Sequence, residues 1–324
     1  MAKSMTQNNP ARAITLKVGA IFLFTVMAAL IKIVSEEMPT GQAVFFRSSF
    51  AMPPIVFWLW QQGHLHDGFK ANNMLGHVWR GLIGTSAMIM TFGGLSLLPL
   101  PEVTAIGYAT PIFTVIFAAL LLGERVRLFR FCAVALGLIG VLIVIAPRLS
   151  FDEGYSSLAT IGALMILTAS ILRALVQIHL RRLVQTESTS AIVFYFSLTA
   201  TILSLLTLPL GWVFPSPALS WTTPSLVALA LIITAGTVAG FAQIMVTASY
   251  RFGSASMLAP FDYSSMIFAT LIGWFIFAEI PTSAILIGAT LVIIGGVLII
   301  WRERQLGVDR SKSKPSIAPS GTAN

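Results

Sequence analysis

Residues 14–34 read ITLKVGAIFLFTVMAALIKIV, an apolar run interrupted only by Thr15, Lys17, Thr25 and Lys32. A backbone in hydrocarbon finds no water to bond, so roughly 20 such residues must satisfy their own N–H and C=O groups as a membrane-crossing helix. Working outward, comparable runs recur at 42–61, 78–97, 102–122, 128–147, 156–180, 191–213, 225–249, 255–277 and 281–301. The expected fold is therefore an all-α polytopic membrane protein with ten transmembrane helices.

Composition points the same way. The chain is 56% hydrophobic and only 10% charged, with a mean hydropathy of +0.87, which leaves too little polar surface to clothe a water-soluble domain of 324 residues. The net charge of +8 sits in short connections and tails, where orientation in the membrane accounts for it and nucleic acid does not. The single cysteine, Cys132, lies in an apolar run, excludes an internal disulfide and reads as a small core residue.

The basic residues fall on alternate connections. With the N-terminus inside, one side collects Lys3, Arg12, Lys17, Lys70, Arg80, Arg125, Arg127, Arg130, Arg181, Arg182, Arg251 and the tail residues Arg302, Arg304, Arg310, Lys312 and Lys314; the other holds Arg148 alone. The positive-inside rule then places both termini in the cytoplasm of a bacterial inner-membrane protein. Residues 1–13 form a cytoplasmic N-terminal tail and 302–324 a cytoplasmic C-terminal tail, whose Ser-, Pro- and Lys-rich part from Gly307 to Asn324 is expected to be disordered.

Shifting the chain on itself by 155 positions lays Glu124 on Glu279, Tyr108 on Tyr263, Gly140 on Gly295 and Gly81 on Gly236. An offset of 149 aligns VFFR (44–47) with VFYF (193–196). The expected organisation is a five-helix repeat at 14–147, a linker at 148–155 and a second five-helix repeat at 156–301. Five is odd, so the second copy enters the membrane upside down, the inverted architecture that secondary transporters build around one central site. Glu124 and Glu279 precede helices, where the helix dipole explains an acid. Gly236 and Gly240 form a small-xxx-small pair that matches Gly81 and Thr85, suits close helix packing and leaves a homodimer open. Pro53, Pro54, Pro111 and Pro260 interrupt the runs and are expected to kink them.

A charge at the centre of a membrane helix costs about 2.5–3.5 kcal/mol on insertion scales, so Lys32, Arg47, Arg173 and Asp262 need reasons to be there. Lys32 lies about one turn from a helix end, where reaching the outer surface competes with a functional role. Arg173 and Asp262 each fall seven residues from the same face, a depth of roughly 10 Å, which permits an ion pair. Tyr108, Gln177, Tyr195, Gln243 and Tyr263 add polar groups to an otherwise apolar interior, as a ligand cavity requires. Together with the four charges they are the candidate substrate-binding or gating residues.

No phosphate-binding loop, catalytic triad spacing or complete metal-ligand set is present; His64 and His66 lack companions. The expectation is a non-enzyme without cofactor or metal, with lipid and a small molecule as its partners. A membrane scaffold or lipid-modifying enzyme is the competing class.

The segments FFRSSFA (45–51), LPLPEVTAIGYATPIFTVIFAALLLGE (98–124) and APFDYSSMIFATLIGWFIFAE (259–279) resemble the drug/metabolite transporter superfamily, EamA branch, over residues 14–301. The resemblance implies secondary transport through a central cavity, and makes Arg47, Pro111 and Glu124 familiar features. GHVWRGLIG (76–84) and LAPFDYSS (258–265) look most like bacterial riboflavin uptake transporters. That resemblance implies riboflavin uptake; S-adenosylmethionine-type uptake and export of amino acids, amines or drugs are the alternatives. Where the first repeat has Arg47, the second has Tyr195 and Phe196, so the two half-sites differ chemically.

Overall fold

A computed structural model describes residues 9–61, 63, 68–122, 128–149, 157–183, 186–213, 220–252 and 258–312. Its helices are α1 (Pro10–Val34), α2 (Thr40–Gln61), α3 (Met74–Leu97), α4 (Leu100–Gly107), α5 (Ala109–Leu122), α6 (Leu128–Leu149), α7 (Ser157–Leu183), α8 (Thr189–Leu205), α9 (Thr207–Val213), α10 (Leu226–Phe252), α11 (Ser264–Phe277) and α12 (Ser283–Lys312), with a 3-10 turn at Ala259–Tyr263. Among the described residues there is no strand. Among the described residues five stretches are long and apolar enough to cross a membrane: Ala11–Val34, Thr40–Gln61, Leu158–Leu180, Ser190–Val213 and Leu226–Val246.

Helix starts follow local chemistry. Asn9 accepts the N–H of Arg12 at 3.1 Å, Asn73 that of Gly76 at 2.9 Å and Ser188 that of Ala191 at 3.2 Å, each filling one of the donors a helix start leaves orphaned. The cap at Asn73 begins α3 four residues before the expected position 78, which carries His77 into the helix and sets Arg80 in its second turn. Arg80, expected in a solvated connection, is buried, with its guanidinium 4.5 Å from the centre of the Phe196 ring. Lys17, counted with the same connections, is buried as well.

Two expected helices are broken. The run 102–122 divides into α4 and α5 at Tyr108, and 191–213 divides into α8 and α9 at Leu206. Each break lies three residues before a proline, Pro111 or Pro209. Proline has no N–H and its ring collides with the carbonyl four residues back, so the helix is released just there. Pro53 and Pro54 do not break α2, and Pro260 occupies the first positions of the 3-10 turn, where a missing N–H costs nothing.

In lipid, apolar surface gains nothing by leaving its surroundings, so helices associate through close packing and polar contacts. Here α1 packs along α10, α3 along α7 and α6 along α12; α2 lies between α8 and α10, α3 also meets α8, and α4 meets α11. Glycines set the closest approaches. A Cβ at Gly236 would stand 2.9 Å from the Arg47 carbonyl oxygen, and one at Gly240 2.7 Å from that of Ala51, so α10 touches the α2 backbone there. The small-xxx-small face is thus occupied within the chain. Its sequence counterpart, Gly81, packs on Thr199 of α8.

Two further expectations change. Cys132 is exposed rather than buried. The last helix continues through Gly307 to Lys312, which were expected to be disordered, whereas residues 313–324, Glu124 and His64 and His66 lie outside the described residues.

Candidate functional site

The break at Tyr108 meets the 3-10 turn at Ala259–Tyr263. Tyr108, at the break between α4 and α5, donates its hydroxyl to the Tyr263 carbonyl at 3.0 Å and shares a 2.7 Å hydrogen bond with Ser265 Oγ. The Tyr108 and Tyr263 rings pack edge to face, with centroids 5.2 Å apart, and both are buried. These tyrosines are related by the sequence offset of 155, so positions that coincide when the chain is shifted on itself are in contact in space. Ser265 was not singled out from the sequence; its signal was the SerSer doublet directly after Tyr263.

On α7, Ala159, Ala163, Ile166, Ser170, Arg173 and Gln177 recur at intervals of three and four and share one face. Arg173 donates Nε to its own Ala169 carbonyl at 3.3 Å, and its guanidinium lies against Gly107, where an added Cβ would stand 3.6 Å from Nη2. Gly107 is four residues before Pro111, so its carbonyl is the one the proline deprives of a helical donor. One turn beyond Arg173, Gln177 Oε1 accepts the Thr114 hydroxyl of α5 at 3.0 Å.

Arg47 is the deepest of the candidate charges, 4% exposed on α2. It lies between Val44 and Ala51, at i−3 and i+4, both part of the buried cluster that contains Tyr108 and Tyr263. Its Nε has no hydrogen-bond partner, and it forms no ion pair among the described residues.

The other candidates are engaged elsewhere. Lys32 does not reach for the surface; it pairs with Glu279 at 2.6 Å, donates to the Leu98 carbonyl at 2.6 Å and sits 5.3 Å from the centre of the Phe277 ring. Glu279 also accepts the Leu100 N–H at 2.8 Å, so it caps α4 rather than the start of the helix that follows it. Asp262 pairs with Lys17 at 2.7 Å, and the expected contact with Arg173 is not made. Tyr195 donates to the Phe69 carbonyl at 3.0 Å and packs 4.9 Å from the His77 ring, away from the tyrosine crossing. Gln243 is half-buried on α10 without a hydrogen bond among the described residues.

Connections at either end of the bundle are tied. On one end Glu37 accepts the Ser225 N–H and hydroxyl, each at 3.0 Å, and Gln42 exchanges two hydrogen bonds with the Thr222 backbone. The Ser225 N–H and hydroxyl hold the Glu37 carboxyl below its ordinary value. On the other end Glu187 accepts the Asn72 and Asn73 N–H groups at 2.9 and 2.7 Å and lies 3.3 Å from His77 Nε2. Burial alone would raise the Glu187 carboxyl, but those donors outweigh it and leave it lowered. Among the described residues no three His, Cys, Asp or Glu side chains gather to hold a metal ion.

Comparison with known proteins gives the chain its relatives. The profile of the EamA-like transporter family matches residues 11–146 and again 160–301. The pseudopaline exporter CntI of Pseudomonas aeruginosa is 29% identical over 89% of this chain and 93% of its own. The S-adenosylmethionine uptake transporter of Rickettsia bellii is 25% identical over 92% and 98%, and the riboflavin transporter of Rhizobium johnstonii 26% identical over 93% and 97%. A solved crystal structure covering 91% of this chain and 99% of its own has a TM-score of 0.62 at 18% identity, a likeness of fold alone.

Proposed function

We propose, from the premise that the chain belongs to the EamA-like transporter family, that it is a secondary transporter moving a small metabolite across the bacterial inner membrane by alternating access. The observation that carries this reading is the contact of the helix break at Tyr108 with Tyr263 and Ser265, where a 3-10 turn passes into the next helix. Interrupted helices place uncommitted backbone groups in the interior only where protein or a ligand takes them up.

We read the architecture as ten spans in two inverted five-helix repeats, 14–147 and 156–301, separated by a linker at 148–155. Helix pairing supports it: exchanging the first span with the sixth, the second with the seventh and so on turns α1 on α10 into α7 on α3, and α10 on α2 into α3 on α8. The ties support alternate threading, because 35–42 meets 222–225 while 72–77 meets 187, contacts that fall on opposite faces if every helix crosses. In this reading the Glu37 and Glu187 ties close opposite mouths of one cavity, and both termini are cytoplasmic. Arg47, Arg173, Tyr108, Tyr263, Gln177 and Gln243 are the central candidates, and Lys32, Asp262 and Tyr195 hold the gates.

Riboflavin uptake is the first substrate to test, supported by the motif resemblance and the relative named a riboflavin transporter. A riboflavin auxotroph without its own uptake system should grow at low vitamin when it expresses this chain. An unchanged requirement, with the protein confirmed in the membrane, would exclude riboflavin uptake. Export is the second reading, favoured by the 29% identity to a protein named an exporter.

A further inference from the structure

No arginine among the described residues pairs with an acid, and Arg47 differs from the rest in having no other partner: Arg173 donates Nε to the Ala169 carbonyl. Lys17 meets Asp262 and Lys32 meets Glu279. Arg80 rests on the Phe196 ring and approaches the Ile192 carbonyl at 3.5 Å. Arg47, 4% exposed, has none of these: no carboxylate, no carbonyl and no ring among the described residues, and an Nε without an acceptor. A permanently charged guanidinium in such a place is costly, and the cost is offset only when an anion arrives.

The next two positions are uncommitted as well. Helical Ser and Thr hydroxyls in this chain usually return to a carbonyl one turn back, as Thr25 does to Ile21 and Ser170 to Ile166. Ser48 and Ser49 do not; their buried Oγ atoms have no partner. Residues 47–49 of α2 therefore hold three donors with no acceptor among the described residues, each on a different side of the helix, because successive positions turn by about 100°.

We infer that the transported metabolite carries a carboxylate, and that Arg47 receives it. A planar guanidinium matches a carboxylate through two parallel N–H···O bonds, which a neutral ring system such as the flavin lacks. Rejection of uncharged analogues follows, because their binding would bury Arg47 still unpaired. The inference rests on the transport reading above but not on riboflavin as the substrate, and it favours the carboxylate-bearing alternatives.

The test uses the full-length protein in lipid nanodiscs and three probes: S-adenosylmethionine, its decarboxylated analogue, which lacks only the carboxylate, and riboflavin. We expect S-adenosylmethionine to bind at least about ten-fold more tightly than the decarboxylated compound, the scale of one charge-assisted pair. Arg47→Gln should bring that ratio close to one, and Arg47→Lys should restore part of it. The unliganded Arg47→Gln protein should melt no lower than the wild type, since it loses an uncompensated charge; a melt several degrees lower would make Arg47 structural and overturn the inference. Equal binding of the two adenosyl compounds, or a preference that survives Arg47→Gln, overturns it too. If riboflavin alone binds and is moved in proteoliposomes, the carboxylate inference falls while transport stands. If no probe binds and none is moved, both fall.

Discussion

Replacing Glu279 by Ala should be among the most damaging single changes outside the central crossing, and the structure says how damaging. Both side chains of the Lys32–Glu279 pair are 16% exposed, so little solvent is available to screen a charge left alone. Removing one partner of a buried pair typically costs about 3–5 kcal/mol. Glu279→Ala should sit at the upper end, because it strands the Lys32 ammonium and also takes the acceptor from the Leu100 N–H that starts α4. Lys32→Met should cost less, since Glu279 keeps that N–H and the methionine fills the volume. The double variant should be more stable than Glu279→Ala alone, because the stranded ammonium is gone. The assay is reversible unfolding in mixed micelles on the four proteins of a double-mutant cycle, with coupling expected between about 0.5 and 3 kcal/mol. Additive losses, or a double variant worse than Glu279→Ala, would refute the reasoning. Asp262→Asn is the companion case: Asp262 is 50% exposed but Lys17 only 5%, so the ammonium left behind is buried and the loss should exceed the roughly 1 kcal/mol of a pair exposed on both sides.

Tyr108→Phe removes a hydroxyl with partners at 3.0 and 2.7 Å, a net loss of about 1 kcal/mol, so the amount of folded protein should hold while substrate flux through proteoliposomes falls; equal losses of both would make the contact structural. Gly140→Leu drives a side chain into the Gly288 carbonyl across the α6–α12 contact, and the folded protein recovered from membranes should drop several-fold. The Glu37 carboxyl is held low, so its tie to Ser225 should be intact above the ordinary glutamate value of about 4.3 and be lost as pH falls through the lowered value; hydrogen exchange of residues 220–225 that is unchanged across that range would contradict this. Spin labels should report larger distance changes between α5 and α7 than between α1 and α11 when the site is filled; the reverse order would show that the ion pairs do not stiffen α1.

How much of this was readable in the sequence depended on the range of the interaction. Helix positions were readable because hydrocarbon leaves the backbone one solution, and the Tyr108–Tyr263 contact was foreshadowed by an offset that any internal repeat betrays. Partner choice was not. Lys17 to Asp262 spans 245 residues and Lys32 to Glu279 spans 247, and depth alone ranked Arg173 as an equally good partner for Asp262. What decides between them is which helix lies beside which, and α1 rather than α7 lies beside α11. Arg80 was counted with the basic connections because it stands near the start of an expected helix; the cap at Asn73 sets it a full turn further from the helix end, where it is buried on the Phe196 ring. The break at Leu206 was missed although Pro209 stands in the same relation to it as Pro111 to Tyr108.

Those two long-range pairs also bear on where the molecule can move. Lys17 and Lys32 are fifteen residues apart on α1, roughly 22 Å, and Asp262 and Glu279 bracket α11 over a comparable length, so the two segments run parallel and are fastened at both ends. In the proposed inverted arrangement the counterpart of this interface is α5 on α7. There the fastening is one neutral hydrogen bond, Thr114 to Gln177, with Arg173 resting on Gly107 rather than on an acid. Rearranging a neutral hydrogen bond costs about 1 kcal/mol, against several for separating a buried ion pair. If the proposed repeats hold, equivalent positions are unequal in stiffness by the contacts of the described residues, and the softer one adjoins the break at Tyr108. A pivot needs one side that holds its shape and one that yields, and the unequal chemistry of α1–α11 and α5–α7 supplies both around the tyrosine crossing.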